Sequence, residues 1–362
     1  MKLKQLPEDF KVEEISDTII SKEKKDYKVY SLEKKGMETF SLLAYLSKKN
    51  KIPIRDLGIA GLKDRHAVTK QRFSIPSKYE IKTLNQDNFK MSFLGFSDKA
   101  IELGDLIGNR FDIIVRSIRK GDLDGIRQKA EGIGIVGVPN YFDSQRFGSV
   151  INNKFVAKFL LKKDYESAVR IYLTEFTKHE SGKSKREKML IAENWSNILS
   201  FNAKNPPLAK VINEYKKTGS WLEAYKKIPP NLREIMVSAY QSYLWNECIK
   251  ELLRRTINKK SLYSIKYGIG ALLFYKRSKE EEMKKLPLTF KTISEEINPS
   301  SLEKEIIGKV LSREGMAIQD FNIKKETGNF FKVHERNVML KPENFNISEP
   351  QIDEINDKGR KN

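Results

Sequence analysis

The stretch Ile59-Ala60-Gly61-Leu62-Lys63-Asp64-Arg65-His66-Ala67-Val68-Thr69-Lys70-Gln71-Arg72-Phe73-Ser74-Ile75 reads as the end of a short apolar strand, a glycine, one carboxylate among basic neighbours, and a second strand. In that second strand Ala67, Thr69, Gln71, Phe73 and Ile75 fall on one side, the period-two pattern of a half-buried strand. A glycine ahead of a polar turn lets the backbone take conformations closed to other residues and leaves room for a bulky ligand. Asp64 is the only acid of the turn, while Lys63, Arg65, Lys70 and Arg72 supply four positive charges. Two readings stand at this point: a solvated charged turn between strands, or a site built on Asp64.

Charge is the strongest signal outside that stretch. The chain has 362 residues, with 68 Lys+Arg against 48 Asp+Glu, a formal net charge of +20. A field of that sign gathers polyanions, so nucleic acid is the first partner to consider; a lysine- and glutamate-rich composition also suits a thermophilic source. The basic residues are spread along the chain rather than gathered on one amphipathic segment, which argues against a membrane surface. With 39% hydrophobic and 10% aromatic residues the chain is not disordered, and its length suffices for two domains with cores. A single cysteine, Cys248, excludes an internal disulfide or a cysteine cluster, and His66, His179 and His334 are too scattered for a metal-ligand pattern. No apolar run reaches membrane-spanning length, and the expected compartment is the cytoplasm.

Along the chain, residues 7–15, 27–32, 67–75, 91–96 and 110–118 have strand character. Thr39 is placed to cap a helix with Phe40, Leu42, Leu43 and Leu46 on its inner face. Few long crossovers separate these strands, so an antiparallel or mixed sheet is expected rather than a doubly wound parallel one. Residues 121–131 read as helix. Gly132-Ile133-Gly134-Ile135-Val136-Gly137 formally matches a dinucleotide-binding glycine pattern, but it follows a helix instead of opening one, so it reads as a turn-and-strand glycine cluster. Beyond residue 150 the pattern turns helical at 152–161, 165–176, 208–217 and 232–255. A basic, glycine-containing segment at 178–188 interrupts it, read as a solvated loop or a phosphate-contacting arm. Residues 265–275 and 331–340 return to strand character. The sum is an α+β chain with a helical domain inserted into a sheet domain, divided as 1–150, 151–325 and 326–362.

Two further segments carry chemistry. Val138-Pro139-Asn140-Tyr141-Phe142-Asp143-Ser144-Gln145-Arg146-Phe147-Gly148 places aromatic rings beside amide and guanidinium groups, either a loop packed on the core or a surface that reads a base and holds a phosphate. Ser238-Ala239-Tyr240-Gln241-Ser242-Tyr243-Leu244-Trp245-Asn246 lies in the long helix and reads mostly as packing. Together with Pro7-Glu8-Asp9-Phe10 and residues 60–71, these segments resemble the TruD family of tRNA pseudouridine synthases, in the family's order and across about two-thirds of the chain.

The resemblance implies a pseudouridine-synthase-like mixed, mainly antiparallel sheet flanked by helices, with an inserted, mainly helical TRUD domain. It implies that Asp64 is the catalytic aspartate, that Asn140 and Phe142 are active-site residues, and that Phe10 is a further aromatic of the pocket. The family's basic residue sits three positions before the Pro-Glu-Asp-Phe motif, which is Lys4 here, with Lys2 the alternative. The family's closing Leu-Pro strand and Gly-Ser-Tyr-Ala-Thr turn have no counterpart before Asn362, so a shortened C-terminal part is expected.

The implied reaction breaks the N1–C1′ bond of uridine, turns the base and joins C5 to C1′, without redox change, cofactor or metal. A carboxylate beside the ribose can attack C1′, remove the C2′ proton, or stabilise positive charge as the base leaves. A nearby ammonium favours its ionised form, the role implied for Lys4. Phe142 and Phe10 would stack the detached uracil, each contact worth about 1–3 kcal/mol. Lys63, Arg65, Lys70, Arg72, Gln145 and Arg146 are the expected RNA contacts. The expected partner is tRNA, at uridine-13 of the D-arm, bound by a monomer. The alternative is a non-catalytic RNA-binding or RNA-folding module on the same scaffold.

Overall fold

The alternation read from residues 67–75 is realised in a computed structural model that describes residues 1–81, 85–177, 180–276, 280–329 and 331–356. Ala67, Thr69, Gln71, Phe73 and Ile75 are each at most 2% exposed. The last four lie in β4 (Val68–Pro76), which pairs with three other strands, and Ala67 immediately precedes it. The preceding elements are β1 (Phe10–Ile15), β2 (Tyr27–Lys35), α1 (Thr39–Asn50) and β3 (Gly58–Ile59), and those following are β5 (Asn85–Gln86), β6 (Phe89–Ser97) and β7 (Gly108–Ile113). The sheet runs β5-β6-β2-β4-β1-β7, with β3 also on β4. Only the β1–β4 pair is parallel, from Lys11↔Val68 to Glu13↔Lys70, so the sheet is mixed and mainly antiparallel as expected.

Tyr30 stacks on Phe73 across the β2–β4 ladder at 5.2 Å, and Leu42, Leu43 and Leu46 of α1 close over them. Each such buried side chain contributes about 1.5–3 kcal/mol of apolar burial. Two expectations for α1 need correction. Phe40 is 53% exposed, because only the 42, 43 and 46 stripe faces the sheet. Thr39 is the first helical residue and not the cap; Glu38 occupies the cap position, and the Thr39 hydroxyl bonds elsewhere. The strand expected to reach residue 118 ends at Ile113, and the chain turns at Ser117 with a φ of +55°.

The chain divides into two compact units, Met1–Gly125 with Ser348–Asn362, and Ile126–Ile347. In the first unit the two ends of the chain are tied together. Arg116 grips Asp9 through Nε and Nη2, and its backbone pairs with that of Lys2. Asp353 accepts from Arg116 and from the Ser117 N–H, and Asn356 bonds Lys2 and Gln5.

The second unit opens within α2 (Leu123–Val136) and continues through β8 (Val138–Pro139), α3 (Val156–Leu161), α4 (Tyr165–Thr174), α5 (Gly182–Glu193), α6 (Pro206–Thr218) and α7 (Trp221–Lys226). Then come α8 (Pro230–Thr256), β9 (Leu262–Tyr267), β10 (Gly270–Tyr275), α9 (Glu280–Met283), β11 (Thr289–Lys291), α10 (Ser301–Glu314), α11 (Lys324–Thr327), β12 (Glu335–Asn337) and β13 (Met339–Leu340). Proline at its first turn and no glycine or proline further in let α8 run unbroken. Its Tyr240, Leu244, Trp245, Cys248, Ile249 and Leu252 form the spine of this unit's core. The expected strand at 265–275 is a hairpin, β9 with β10.

The compact units do not follow the division at 150 and 325. β8 pairs with β13, and Phe147 enters the helical core, so residues 126–150 and 326–347 pack with the middle of the chain. The glycine cluster is also corrected. Helix α2 runs through Gly132 and Gly134 to Val136, and Gly137 ends it at φ +83°, where a Cβ would lie 2.7 Å from the Leu340 carbonyl oxygen. The basic segment at 178–188 is mostly helix: Ser181 caps α5, and Lys188 is buried with its ammonium on the Glu175 carbonyl. Residues 178 and 179 of that segment, and the polar end from 357 to 362, lie outside the described residues. Among the described residues no helix is long and apolar enough to cross a membrane.

The tie at the chain ends has a pH signature. Burial pushes the Asp353 carboxyl up, but hydrogen bonds from Asn356, Ser117 and Arg116 outweigh it and hold it at about 2, against an ordinary 3.8. The Arg116 guanidinium likewise lowers Asp9. A folded pKa below the unfolded one contributes stability that is complete above about pH 4 and is lost as the pH falls toward 2. Asp353→Asn is expected to lower the urea midpoint of the first unit at neutral pH and to shrink its loss between about pH 4 and pH 2. Hydrogen exchange of residues 2–16 across that range reads the effect; an acid profile identical to the parent's would remove Asp353 from the account.

Candidate active site

Asp64 lies in the irregular segment between β3 and β4, where buried backbone groups need partners outside the ladder. Lys34, at the end of β2 and 1% exposed, supplies two of them. Its ammonium donates to the carbonyls of Met37 at 2.8 Å, Asp64 at 2.9 Å and Lys63 at 3.3 Å. Burial lowers its pKa to about 8, eased by the Asp64 carboxylate. Thr39 of α1 both donates to the Lys63 carbonyl and accepts from the Lys63 N–H, which is where its hydroxyl goes in place of capping. Gln71 of β4 donates to the Gly61 carbonyl at 3.1 Å. From β1, Glu14 meets the Lys63 ammonium at 2.6 Å, with both side chains buried.

The Asp64 side chain has a different partner from its backbone. Its Oδ2 is 2.6 Å from the Lys4 Nζ, both side chains about one-third exposed, at 34% and 35%. The same ammonium sits 3.8 Å from the centre of the Phe10 ring, which packs edge-on against Phe111. Lys4 itself has a φ of +53°, a left-handed conformation imposed between the Lys2–Arg116 bridge and the Asp9–Leu6 contact. Of the two lysines considered from the sequence, Lys4 pairs with Asp64; Lys2 bonds Asn356.

The basic residues of the turn separate into different jobs. Lys63, expected on RNA, places its ammonium on buried Glu14 and braces the turn. Arg72, also expected on RNA, donates from its Nη1 to the Thr18 carbonyl at 3.0 Å. Lys70 is exposed beside Glu13, and Arg65 is exposed at the tip. Gly61 does not take a positive φ, and a Cβ there would make ordinary contacts at 3.8 Å, so the expected special backbone is not what this position uses.

The aromatic loop belongs to the second unit. Asn140 continues the β8–β13 pairing: its N–H bonds the Val338 carbonyl and its Nδ2 the Asn337 carbonyl. Phe142 is fixed by Asn246 of α8, fully buried, whose amide accepts from the Phe142 N–H and donates to the Phe142 carbonyl, both at 2.9 Å. The Phe142 ring meets Trp245 edge-on at 5.6 Å, and the Arg336 guanidinium lies 3.9 Å from its centre. Gln145 and Arg146 sit exposed on the short turn Ser144–Phe147, which Phe147 anchors in the core. Lys34 and Arg336 were not singled out from the sequence. For Lys34 a signal existed, because Tyr30, Leu32 and Lys34 continue one inward-facing alternation; for Arg336, in a three-residue strand, none did.

The crystal structure of the "Putative tRNA pseudouridine synthase D (TruD)" of Methanosarcina mazei aligns with a TM-score of 0.70 at 25% identity, over 94% of this chain and 85% of that one, so the fold is that of a pseudouridine synthase. The family model described as tRNA pseudouridine synthase D (TruD) matches residues 1–357, and the chain belongs to the TruD family, whose members are isomerases. Relatives include "Probable tRNA pseudouridine synthase D 2" of Methanocaldococcus jannaschii, 42% identical over 98% of this chain and 85% of the relative. The "tRNA pseudouridine synthase D" of Aquifex aeolicus is 32% identical over 96% and 91%.

Lys34→Met removes the donor that the three carbonyls share. Expected are faster amide exchange at residues 63–65, a stability loss of about 1–3 kcal/mol, and a kcat that falls more than KM rises. Unchanged exchange at those amides would show that Thr39 and Gln71 hold the turn without it. For the second unit, Asn246→Ala is expected to cost a similar ~1–3 kcal/mol through the two orphaned Phe142 backbone groups, read as a lower thermal midpoint.

Proposed function

We propose that the protein converts uridine to pseudouridine in tRNA, at uridine-13 of the D-arm, with Asp64 as the carboxylate that acts on the ribose. The observation that carries this is the 2.6 Å ion pair between Asp64 and Lys4 on a turn braced from β1, β2, α1 and β4. The relatives named as tRNA pseudouridine synthases and the net charge of +20 support the substrate class.

The reaction needs a carboxylate that stays ionised beside the sugar and a surface that keeps the uracil while it turns. Lys4 stands in direct contact with the Asp64 carboxylate, and Phe10 gives that ammonium a ring face to rest on. Attack of Asp64 at C1′ and removal of the C2′ proton both begin from this carboxylate; an isotope effect from deuterium at C2′ separates them. As the N1–C1′ bond breaks, the uracil leaves as an anion. C5 then bonds to C1′, the C5 proton passes to solvent and N1 takes up a proton in exchange, so atoms and charge balance. Phe142, with its backbone fixed by Asn246, offers a π-face that holds the base without fixing its rotation. Asn140 and the exposed Gln145, Arg146, Arg65 and Lys70 are the groups left to meet the flipped nucleotide and its neighbours.

Transcribed tRNA carrying tritium at uridine C5 tests the reading. Release of about one label per tRNA, mapped to uridine-13, is expected from the parent, with none from Asp64→Ala although that variant still binds tRNA. Lys4→Met should lower kcat by roughly 10²-fold or more, in the range of lost charge stabilisation at a reacting centre. Binding without release by the parent would instead describe an RNA-folding module, and equal release by Asp64→Ala would remove Asp64 from the chemistry.

A further inference from the structure

Arg336 is a half-buried cation with little to bond. Its guanidinium face lies against Phe142 at 3.9 Å and Trp245 at 5.1 Å, leaving only its edge for hydrogen bonds. Along that edge Nη2 reaches the backbone and side-chain oxygens of Asn140 at 3.4 Å each, the outer limit of a hydrogen bond, and Nε is buried without a partner. A second guanidinium, Arg146, lies 5.2 Å from the centre of the same Phe142 ring. Among the described residues neither arginine has a carboxylate within salt-bridge distance. Burial and the positive charge of Arg146 both work against the charge on Arg336. Elsewhere in this unit comparable cations are matched: Arg255 with Glu305, Arg313 with Glu251, Lys158 with Glu314. Two arginines gathered on one ring without an acid make a place for an anion that the chain itself does not provide. A planar fork matches phosphate oxygens, and two forks suit one better than a carboxylate.

We propose that Arg146 and Arg336 together bind a backbone phosphate of the RNA beside Phe142. This rests on the proposed function for the identity of the polyanion and deepens it by naming where one phosphodiester is held. Arg336 enters as a substrate-binding residue in addition to packing on the ring.

The test measures tRNA affinity against KCl concentration for the full-length protein and for Arg336→Met, Arg336→Lys and Arg146→Met. Loss of one phosphate contact is expected to reduce the slope of log affinity against log salt by about 0.7–0.9 for each Met variant. Arg336→Lys should keep the slope while weakening binding, since charge is retained and the fork is lost. Slopes unchanged in both Met variants overturn the proposal and leave Arg336 as packing for Phe142. Exposed Arg146 carries the test alone if Arg336→Met does not fold. Replacing chloride by inorganic phosphate at matched ionic strength should weaken tRNA binding more in the parent than in Arg336→Met; equal weakening in both would count against a phosphate site, and phosphate competition lost in the variant with an unchanged tRNA salt slope would assign the site to free phosphate and overturn the RNA assignment. Altered slopes in a protein that isomerises no uridine would keep the phosphate site and sink the reaction, whereas normal isomerisation with unaltered slopes would sink the phosphate site alone.

Discussion

A cation in a place almost closed to water, Lys34, sets the conditions for everything around Asp64. Its ammonium has three N–H bonds, and the carbonyls of Met37, Lys63 and Asp64 take them. The segment carrying Asp64 has no ladder of its own, so without such a donor its carbonyls would be buried and unpaired or the segment would move out to solvent. Holding the backbone of an acidic residue with a buried cation also places positive potential behind the carboxylate, while Lys4 places it in front. The rest of the first unit follows from these two lysines. β2 delivers one through strand register, and Arg116 with Asp9 delivers the other through the irregular N-terminal segment.

The second unit solves a related problem with amides. Phe142 lies outside the regular ladders, yet both its backbone groups are met by one Asn246 side chain standing on a 27-residue helix. The same helix uses Gln241 to hold the carbonyls of Ile293 and Lys332. Buried amides on a rigid helix act as substitutes for strand partners, and they transmit the rigidity of the core to a loop that would otherwise be defined only by its ends. The aromatic loop is therefore positioned by polar groups that the surrounding apolar core keeps dry.

The legible part of this chain is the part governed by local period. The inward row Ala67 to Ile75, the stripe Leu42, Leu43 and Leu46, and the long run of α8 could all be read from spacing, and each is realised. The order of motifs gave Asp64, Lys4, Asn140 and Phe142 as candidates, and the structure brings Lys4 and Asp64 into contact. What spacing could not carry was a polar residue turned inward to serve a distant backbone. Lys34 and Thr39 serve a turn some 24 to 30 positions away, and a lone Lys or Thr looks the same in sequence whether it faces solvent or a carbonyl. Lys63 and Arg72 show the same limit, since spacing does not reveal that buried Glu14 and the Thr18 carbonyl stand beside them. The glycines of α2 misled in the opposite direction. Glycine weakens a helix by about 1 kcal/mol without forbidding it, and the helix outlasts three of them, Gly125, Gly132 and Gly134, before Gly137 stops it.

The contacts joining Lys2 to Asn356 and Arg116 to Asp353 span 354 and 237 positions of sequence within one compact unit. A chain emerging from the ribosome in order can form β1 to β7 and their ladders early, but the brace behind the N-terminal segment waits for residues near the other end. Closing so long a loop costs only slightly more entropy than closing one half its size, about 0.6 kcal/mol, so the delay is one of order and not of stability. The segment that presents Lys4 to Asp64 is thus finished last although it is made first, and a nascent or prematurely terminated chain carries its acidic residue in place before the lysine opposite it has been secured.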